Sequence, residues 1–457
     1  MKNTKRAIAL FTACALSTGI LAGCGGNTAS SATSGDAGST AVSATSDTAS
    51  SAAADGTKTE ITVWHTWGAG PGLDKIVEAA ELYNETNDKN IHVNIDFVAN
   101  QSSGNTQTMD KLMAAIAAGN PPEVAMLDNF QIASWAAQDA LTPLDDLMAG
   151  VDLNFDDVYD WATEGSIYQG TTYSIPYNGD ARALFYNKDL FTAAGLDPEN
   201  PPTTIDELNE AAEKLTIRDG SNYKQVGIVP WFKAGKPIYT WGWSFGGDFY
   251  DAETNTLTID DPLNIEALQW EVDLANKMGG EDFVNYASGM GSDAEDPFIT
   301  GQLAMVVRGQ FDIANMAVYN PDLNYGITPI PSKEEGKNTT WCGGWGWTIP
   351  KGAKNAEASI DFMKFMMGEE AQKLLPETSS FSPVKTYNEA MYASDESMKV
   401  FMDLLPVAHI RPSVPVGQEL WDGLNTALDS ALHGEGQPAE LLKALNEDMN
   451  AKMARLS

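Results

Sequence analysis

The sequence predicts an α/β protein with two domains, and three features support this. Between residues 59 and 127, apolar side chains alternate between strand and helix periodicity, in the β-α-β-α-β order of a helix-covered sheet. A helix-capping sequence at residues 204–207 begins a second unit of the same kind. The roughly 400 residues from 59 to 457 exceed what one hydrophobic core usually serves. Two domains are therefore expected.

The first unit can be assigned element by element. Residues 61–64 predict a buried strand, and apolar side chains across residues 73–83 recur at helical spacing. The alternating run 91–97 predicts a second strand. A second amphipathic helix covers residues 109–116, and residues 124–127 predict a third strand. Parallel strands joined by helices bring their loop ends to one edge of the sheet, where such domains bind ligands.

The later part of the chain contains further helices and one hairpin. The apolar spacing predicts helices over residues 205–215, 265–275 and 356–367. Residues 249–262 are polar and predict a hairpin. The loops expected to carry ligand-binding groups in the first unit follow its first and third strands, at residues 64–72 and 128–130.

The N-terminus has the composition of an export signal. Three basic residues precede an apolar run that ends in Leu-Ala-Gly-Cys24. This ending resembles the lipobox of bacterial lipoproteins, which predicts a signal peptide over residues 1–23 and a lipidated, palmitate-bearing Cys24. The alternative is an ordinary signal peptide with an incidental cysteine. Residues 24–58 are mostly Gly, Ala, Ser and Thr, which predicts a flexible tether.

Composition excludes several classes of protein. The formal charge of −35 argues against a nucleic-acid partner. The chain has three cysteines, and Cys342 has no partner once Cys14 leaves with the signal and Cys24 is acylated, so no disulfide framework is expected. The four histidines lack metal-ligand spacing. We therefore expect neither a metal nor a cofactor.

Ordered sequence blocks resemble one family along nearly the whole mature chain. They are similar to sugar-binding family 1 of the extracellular solute-binding proteins, the maltose-binding-protein-like components of ATP-driven (ABC) importers. The Glu in Pro-Pro-Glu-Val departs from the family, whose members often have Asp there. The blocks are ITVWHTW at residues 61–67, IAAGNPPEV at 116–124, LFYNKDLF at 184–191 with AGL and PPTT after it, GQLAM at 301–305, and GGWGWTIPKG at 343–352.

The resemblance implies a type II periplasmic-binding-protein-like fold. Each lobe is a mixed sheet flanked by helices, the lobes are hinge-linked, and ligand lies in the cleft. It also implies a monomer that delivers a mono- or oligosaccharide to a membrane permease by hinge closure, lipid-anchored at the extracellular face of the bacterial cytoplasmic membrane. The lobe boundaries it implies are 59–180 for lobe 1, 181–346 for lobe 2, 347–385 for a return to lobe 1, and 386–457 for lobe 2 with C-terminal helices.

Tryptophans supply the flat apolar surfaces that a sugar face needs. Two Trp-Gly-Trp segments place indoles at i, i+2, which in an extended segment puts both on one side. Core packing is the alternative for every tryptophan, and we assign it to Trp64, Trp135, Trp161 and Trp270. Trp421 matches a late sugar-stacking aromatic in the family. The expected ligand-contacting tryptophans are Trp67, Trp241, Trp243, Trp345, Trp347 and Trp421.

Polar candidates lie at strand ends and at the expected crossing between lobes. Carboxylates accept hydrogen bonds from sugar hydroxyls and Arg donates them. For Asp180 and Arg308 the alternative is an inter-lobe salt bridge or a helix cap, but Asp180 matches an acidic sugar ligand in the family. The expected polar ligand-binding residues are His65, Asp128, Asn129, Asn178, Asp180, Arg308 and Arg411.

Three other functions compete with sugar capture. Residues 242–246 match the G-x-S-x-G esterase motif around Ser244, with His409 or His433 available, but no strand-then-helix context surrounds them. A glycan-hydrolysing lipoprotein would use paired carboxylates, which are too abundant here to be informative. A two-lobed binder of a non-sugar solute, such as a peptide or polyamine, is the third. We expect a binding protein and no enzyme.

Overall fold

The computed structural model describes residues 58–67, 71–98, 106–220 and 222–456. These residues belong to one compact unit. The predicted signal peptide, Cys24 and nearly all of the predicted tether lie outside the described residues. Across the described ranges, none of the helices combines the length and the apolar character that a membrane-spanning segment needs.

The strands are, in chain order, β1 (Thr59–His65), β2 (Ile91–Phe97), β3 (Val124–Asp128), β4 (Ile167–Tyr168), β5 (Thr171–Thr172), β6 (Ile175–Gly179), β7 (Arg182–Asn187), β8 (Ile217–Asp219), β9 (Asn222–Ile228), β10 (Tyr250–Asp251), β11 (Thr256–Leu257), β12 (Leu303–Gly309), β13 (Tyr325–Thr328), β14 (Thr340–Cys342), β15 (Gly344–Thr348) and β16 (Ala408–Ile410).

The α-helices are α1 (Pro71–Thr86), α2 (Thr106–Ala117), α3 (Ile132–Ala137), α4 (Asp145–Gly150), α5 (Asp160–Glu164), α6 (Lys188–Ala193), α7 (Ile205–Leu215), α8 (Tyr239–Phe245), α9 (Pro262–Met278), α10 (Glu281–Ser288), α11 (Asp312–Tyr319), α12 (Ala356–Met367), α13 (Glu369–Gln372), α14 (Lys385–Tyr392), α15 (Glu396–Leu404), α16 (Gly417–Leu432) and α17 (Pro438–Leu456), with short 3-10 helices between them.

Lobe 1 is built on a five-stranded mixed sheet in the order β2-β1-β3-β15-β6. Strand β1 pairs in parallel with β2 and β3, whereas β15 runs antiparallel to β3 and β6. Ile61 and Val63 on β1 are fully buried because alternate side chains of a strand face the helices packed on the sheet. The predicted β-α-β-α-β order of this lobe is confirmed.

Lobe 2 is built on a second five-stranded mixed sheet, in the order β13-β7-β12-β9-β8. Its central strand β12 is buried at all seven positions, as expected of a strand covered on both faces. Helix α7 begins at a capping box in which Thr204 and Glu207 satisfy each other's backbone N–H groups. The predicted capping box, the helices over 265–275 and 356–367, and the hairpin β10-β11 are confirmed.

The chain passes between the two sheets at closely spaced points. Strand β6 ends at Gly179 and β7 begins at Arg182, so Asp180 lies in the first connection. The return comes between Cys342 and Gly344, three residues before the expected 347, because Gly344 already pairs with Gly179 in the first sheet. Phe381 also pairs with Gly179, just before the chain leaves again.

One prediction about local structure is wrong. Trp241-Gly242-Trp243 is not extended but forms the middle of α8, which ends at Gly246 with a φ of +93°. A helix turns about 200° over two residues, so the two indoles point to opposite sides. Gly242 is required there because a Cβ atom would lie 2.5 Å from Phe249 and 2.6 Å from Asn264. The close packing of α8, and not access for a ligand, therefore determines the conformation of this segment.

Candidate functional site

The C-terminal edge of the first sheet brings two of the predicted tryptophans together. Trp345, on β15, lies opposite Asp128 at the end of β3. Trp67 follows β1 and meets Trp345 edge to face, with ring centroids 6.2 Å apart and planes at 88°. Both indoles are only partly buried. The strand ends therefore present two aromatic surfaces at the mouth of the space between the lobes.

Polar groups of the first connection lie beside these rings. The side-chain oxygen of Asn178 accepts a hydrogen bond from the Trp345 backbone N–H at 3.2 Å, and its amide group donates to the Ser380 hydroxyl at 3.2 Å. Asp180 accepts the Gly343 N–H at 2.6 Å and pairs with Arg182. Both contacts use Oδ1 of Asp180, and Oδ2 has no hydrogen bond from another described residue. That oxygen is available to a ligand hydroxyl.

Lobe 2 provides the facing wall through the start of α11. Residues of both lobes line an open cavity of about 450 Å³. Of its described lining residues, Asp180 and Glu377 are acidic and none is Lys or Arg, although Lys75 pairs with Glu377 at 2.8 Å. The described lining residues are Trp67, Gly72, Asn178, Asp180, Phe311, Ala314, Asn315, Trp345, Glu377, Thr378 and Ser380. We call this cavity the cleft.

Phe311 is the main cleft residue that sequence reasoning missed. Its side chain is 43% exposed, unusual for a large apolar residue, and it faces the cleft from the lobe opposite Trp67 and Trp345. Gly309 permits this position, because a Cβ atom there would lie 2.2 Å from the Phe311 ring. Phe311 follows the end of β12, and that strand-end position could have identified it. Asn315, Glu377 and Ser380 carried no comparable signal.

A second group of predicted residues gathers around Phe130. Arg411 pairs with Asp128 at 2.6 Å, and its guanidinium lies 4.2 Å from the Phe130 ring centroid and 5.4 Å from that of Trp421. Burial and the nearby Asp180 carboxylate raise the pKa of Asp128, and Arg411 opposes that rise. Asn129 is buried beside this group. The space left here is about 10 Å³, too small for a ligand while Arg411 holds this position.

Five other predicted residues face away from the cleft. Trp241 and Trp347 are fully buried, packing on Trp270 at 4.7 Å and on Tyr177 at 5.3 Å. Trp243 is 4% exposed and stacks on His409 at 4.9 Å. These are corrections: the three indoles belong to the core because their helix or sheet face is covered. Trp241 and Trp347 offer a ligand no surface in this conformation, and Trp243 exposes only a small part of its ring to a separate cavity beside Gly246 and Lys333.

The remaining two corrections concern charged or titratable groups. His65 is fully buried against Phe97, and burial lowers its pKa, which keeps the ring neutral. Arg308 is 1% exposed and pairs with Asp296 and Asp312. Burial acts to raise the pKa of Asp296, but Arg308 and Lys233 together lower it. Arg308 therefore forms salt bridges, which was the alternative to ligand binding. These salt bridges join residues of lobe 2 and do not connect the two lobes.

The cleft is suited to binding. Its polar groups are carboxylate, amide and hydroxyl, which exchange hydrogen bonds with a neutral hydroxylated ligand, and its rings offer apolar surface. Within the described ranges, no group of three or more His, Cys, Asp or Glu side chains is placed to hold a metal. The esterase motif fails, since Ser244 is buried inside α8 and its hydroxyl donates to the Pro331 carbonyl. Burial raises the pKa of Cys342, so its thiol stays protonated.

Comparison with known proteins identifies the family. The model of the bacterial extracellular solute-binding proteins matches residues 66–373. The sn-glycerol-3-phosphate-binding periplasmic protein UgpB of Pectobacterium atrosepticum is 25% identical over 344 residues, covering 72% of this chain and 74% of that protein. UgpB of Brucella melitensis is 27% identical over 340 residues, covering 72% and 75%.

Solved structures share the fold. CpMnBP1 with mannotriose bound has a TM-score of 0.74 and 29% identity, covering 85% of this chain and 99% of that one. MalE of Xanthomonas citri has a TM-score of 0.73 at 18% identity, covering 87% and 98%, and supports the fold alone. The predicted two-lobed, type II periplasmic-binding-protein fold is confirmed. Maltose-binding-protein-like sugar-binding proteins are among its solved neighbours, and because the family model matches well over half of the sequence, this chain belongs to the bacterial extracellular solute-binding proteins.

Proposed function

We propose that this protein captures a neutral oligosaccharide in the cleft and delivers it to an ABC permease, without chemical catalysis. The observation that carries the proposal is the placement of three partly exposed aromatic rings on opposite walls. Trp67 and Trp345 come from lobe 1 and Phe311 from lobe 2. Rings on both walls can cover two faces of one sugar chain, while Asp180 and Asn178 accept hydrogen bonds from its hydroxyl rim.

The relatives are divided between saccharides and a charged solute, and the charges that line the cleft favour a saccharide. CpMnBP1, at 29% identity, was solved with mannobiose and with mannotriose. The UgpB relatives are named for glycerol 3-phosphate, a dianion that needs compensating positive charge. Among the described lining residues of this cleft, the charged groups are Asp180 and Glu377. Each of these carboxylates is already paired with a cation, Asp180 with Arg182 and Glu377 with Lys75, so the described lining offers a phosphate no unpaired positive charge, and we favour a neutral ligand.

Delivery follows from the position of the ligand between the lobes. A ligand that contacts Trp345 and Phe311 together stabilises the conformation in which the lobes are close. The permease then needs to recognise only that closed form. We further propose that the protein acts as a monomer tethered through a lipidated Cys24 at the extracellular face of the membrane. Replacing Cys24 with Ser should move the protein from the membrane fraction to the medium.

Calorimetric titration of the purified protein tests the ligand class. We expect manno-oligosaccharides or another neutral oligosaccharide to bind with a dissociation constant near micromolar, about 8 kcal/mol of binding free energy. Glycerol 3-phosphate should give no heat of binding. Saturable binding of glycerol 3-phosphate, together with flat titrations across a broad panel of neutral glycans, would replace the saccharide with an anionic solute.

A further inference from the structure

A second cavity lies apart from the cleft, where two hairpins of the different lobes approach each other. Its volume is about 820 Å³. Lobe 1 contributes the end of α5 and the β4-β5 hairpin, and lobe 2 contributes the β10-β11 hairpin. The segment that includes β16 forms a third wall. None of its lining residues also lines the cleft. We call it the hairpin cavity.

One acidic side chain from each lobe faces this space. Glu164 ends α5 of lobe 1, and Asp248 precedes β10 of lobe 2. Partial burial raises the pKa of the Glu164 carboxyl, and the nearby carboxylates of Asp160 and Asp248 raise it further. Asp160 pairs with Lys385 at 3.8 Å. Within the described part of the chain, neither Glu164 nor Asp248 forms a salt bridge.

Aromatic and apolar groups make up much of the remaining wall. Tyr168 and Tyr250 line the cavity from opposite lobes. Their hydroxyl groups are already engaged: Gln169 donates to Tyr168 at 3.1 Å, and Tyr250 donates to Asn255 at 2.8 Å. The Tyr168 hydroxyl accepts and so keeps its own proton for a further hydrogen bond, and both rings line the cavity. The apolar contributors are Ile167, Ala408, Ile410, Val414 and Met453.

Two further groups are neutral and offer hydrogen bonds. His409 lines the cavity while its ring stacks on Trp243, and burial lowers its pKa, so no positive charge arises from it near neutral pH. The Ser413 hydroxyl is buried beside the cavity with no hydrogen-bond partner among the described residues. A buried hydroxyl without a hydrogen-bond partner lowers the stability of the fold, and a bound molecule that forms a hydrogen bond with it would recover that stability.

We propose that the hairpin cavity binds a small organic cation with primary amine groups, held between Glu164 and Asp248. Two carboxylates of like charge on opposing walls are stabilised by a cation placed between them. Tyrosine rings attract an ammonium group and cover its alkyl chain. A bare metal ion would leave most of this space and its apolar wall unfilled, and an anion would be repelled.

The test is calorimetric titration of the full chain with 1,4-diaminobutane. We expect saturable binding with one molecule per chain, and no binding of 1,4-butanediol, which has the same length without charge. In the double variant Glu164→Gln, Asp248→Asn the affinity should fall by at least roughly tenfold. Both replacements keep side-chain size, so the thermal unfolding midpoint should stay close to that of the parent.

The matched control is Asp206→Asn, Asp273→Asn, which removes two carboxylates from a separate acidic groove on lobe 2. It makes the same change in net charge and should leave diamine binding unaltered. Absence of diamine binding to the parent protein would refute the proposal. So would an equal loss of affinity in the control variant, or equally tight binding of Mg²⁺, because each indicates attraction to the acidic surface in general.

Discussion

Replacing Trp345 with Ala should weaken sugar binding, because the exposed part of its ring is a surface that a sugar in the cleft would cover. Trp345 already packs in part on Trp67, so a sugar would cover only the remaining face of its ring. That face contributes about 1 kcal/mol of apolar burial and about 0.5–1.5 kcal/mol of aromatic contact. The sum, about 1.5–2.5 kcal/mol, corresponds to a loss of about 10- to 70-fold in affinity.

The matched control for this variant is Trp347→Phe, two residues along the same strand. Trp347 is fully buried against Tyr177 and Phe362, so its truncation should lower the free energy of unfolding by about 1–3 kcal/mol and leave affinity unchanged. Calorimetry measures affinity, and urea unfolding of the ligand-free protein measures stability. Unchanged affinity in Trp345→Ala, or an equal loss of affinity in Trp347→Phe, would show that the cleft is not where ligand binds.

Three more substitutions separate binding from stability. Asp180→Asn should reduce sugar affinity by about 1.5–3 kcal/mol, measured by calorimetry, because a charged acceptor is lost. Arg308→Met should lower the free energy of unfolding by about 3–5 kcal/mol in urea, since Asp296 stays buried with Lys233 alone, and should leave affinity unchanged. Glu271 is fully buried without a hydrogen-bond partner among the described residues, and burial raises its pKa well above 4.5. Above pH 4.5 the unfolded chain releases the Glu271 proton, whereas the folded chain keeps it up to its own, higher pKa, so the free energy of unfolding falls as the pH rises between these two values. Glu271→Gln should remove this fall. Over that pH range the variant should therefore gain stability relative to the parent by up to about 1.4 kcal/mol per pH unit.

Local patterns predicted most elements correctly because those elements depend on neighbours in sequence. The alternation of β1 and the capping box at Thr204 are set by residues within a few positions of each other. The segment around Trp241 was predicted wrongly for the opposite reason. Its helix is stabilised by close contact of Gly242 with Phe249 and Asn264, and a Trp-Gly-Trp triplet contains no sign of those partners.

Some residues of the candidate site could likewise be predicted from the sequence, and others could not. Trp67, Asn178, Asp180 and Trp345 were identified from sequence and lie together in the cleft, since strand ends and the first connection meet at one edge of the sheet. Phe311 was missed, and Arg308 was chosen three residues before it. Arg308 lies within β12 and Phe311 comes just after it. Only the packing of β12 within lobe 2 shows that Arg308 pairs with Asp296 while Phe311 reaches the cleft.

The amino-acid sequence alone determined the class of protein, the alternation of strands and helices, and the residues at the strand ends, because periodicity and family motifs are local properties. Only the tertiary structure decided which tryptophans are core and which carry exposed ring surface. That distinction depends on what the opposite face of each ring touches, and those contacts come from residues far away in the chain. For the same reason, only the folded chain shows that Glu164 and Asp248 line the same cavity.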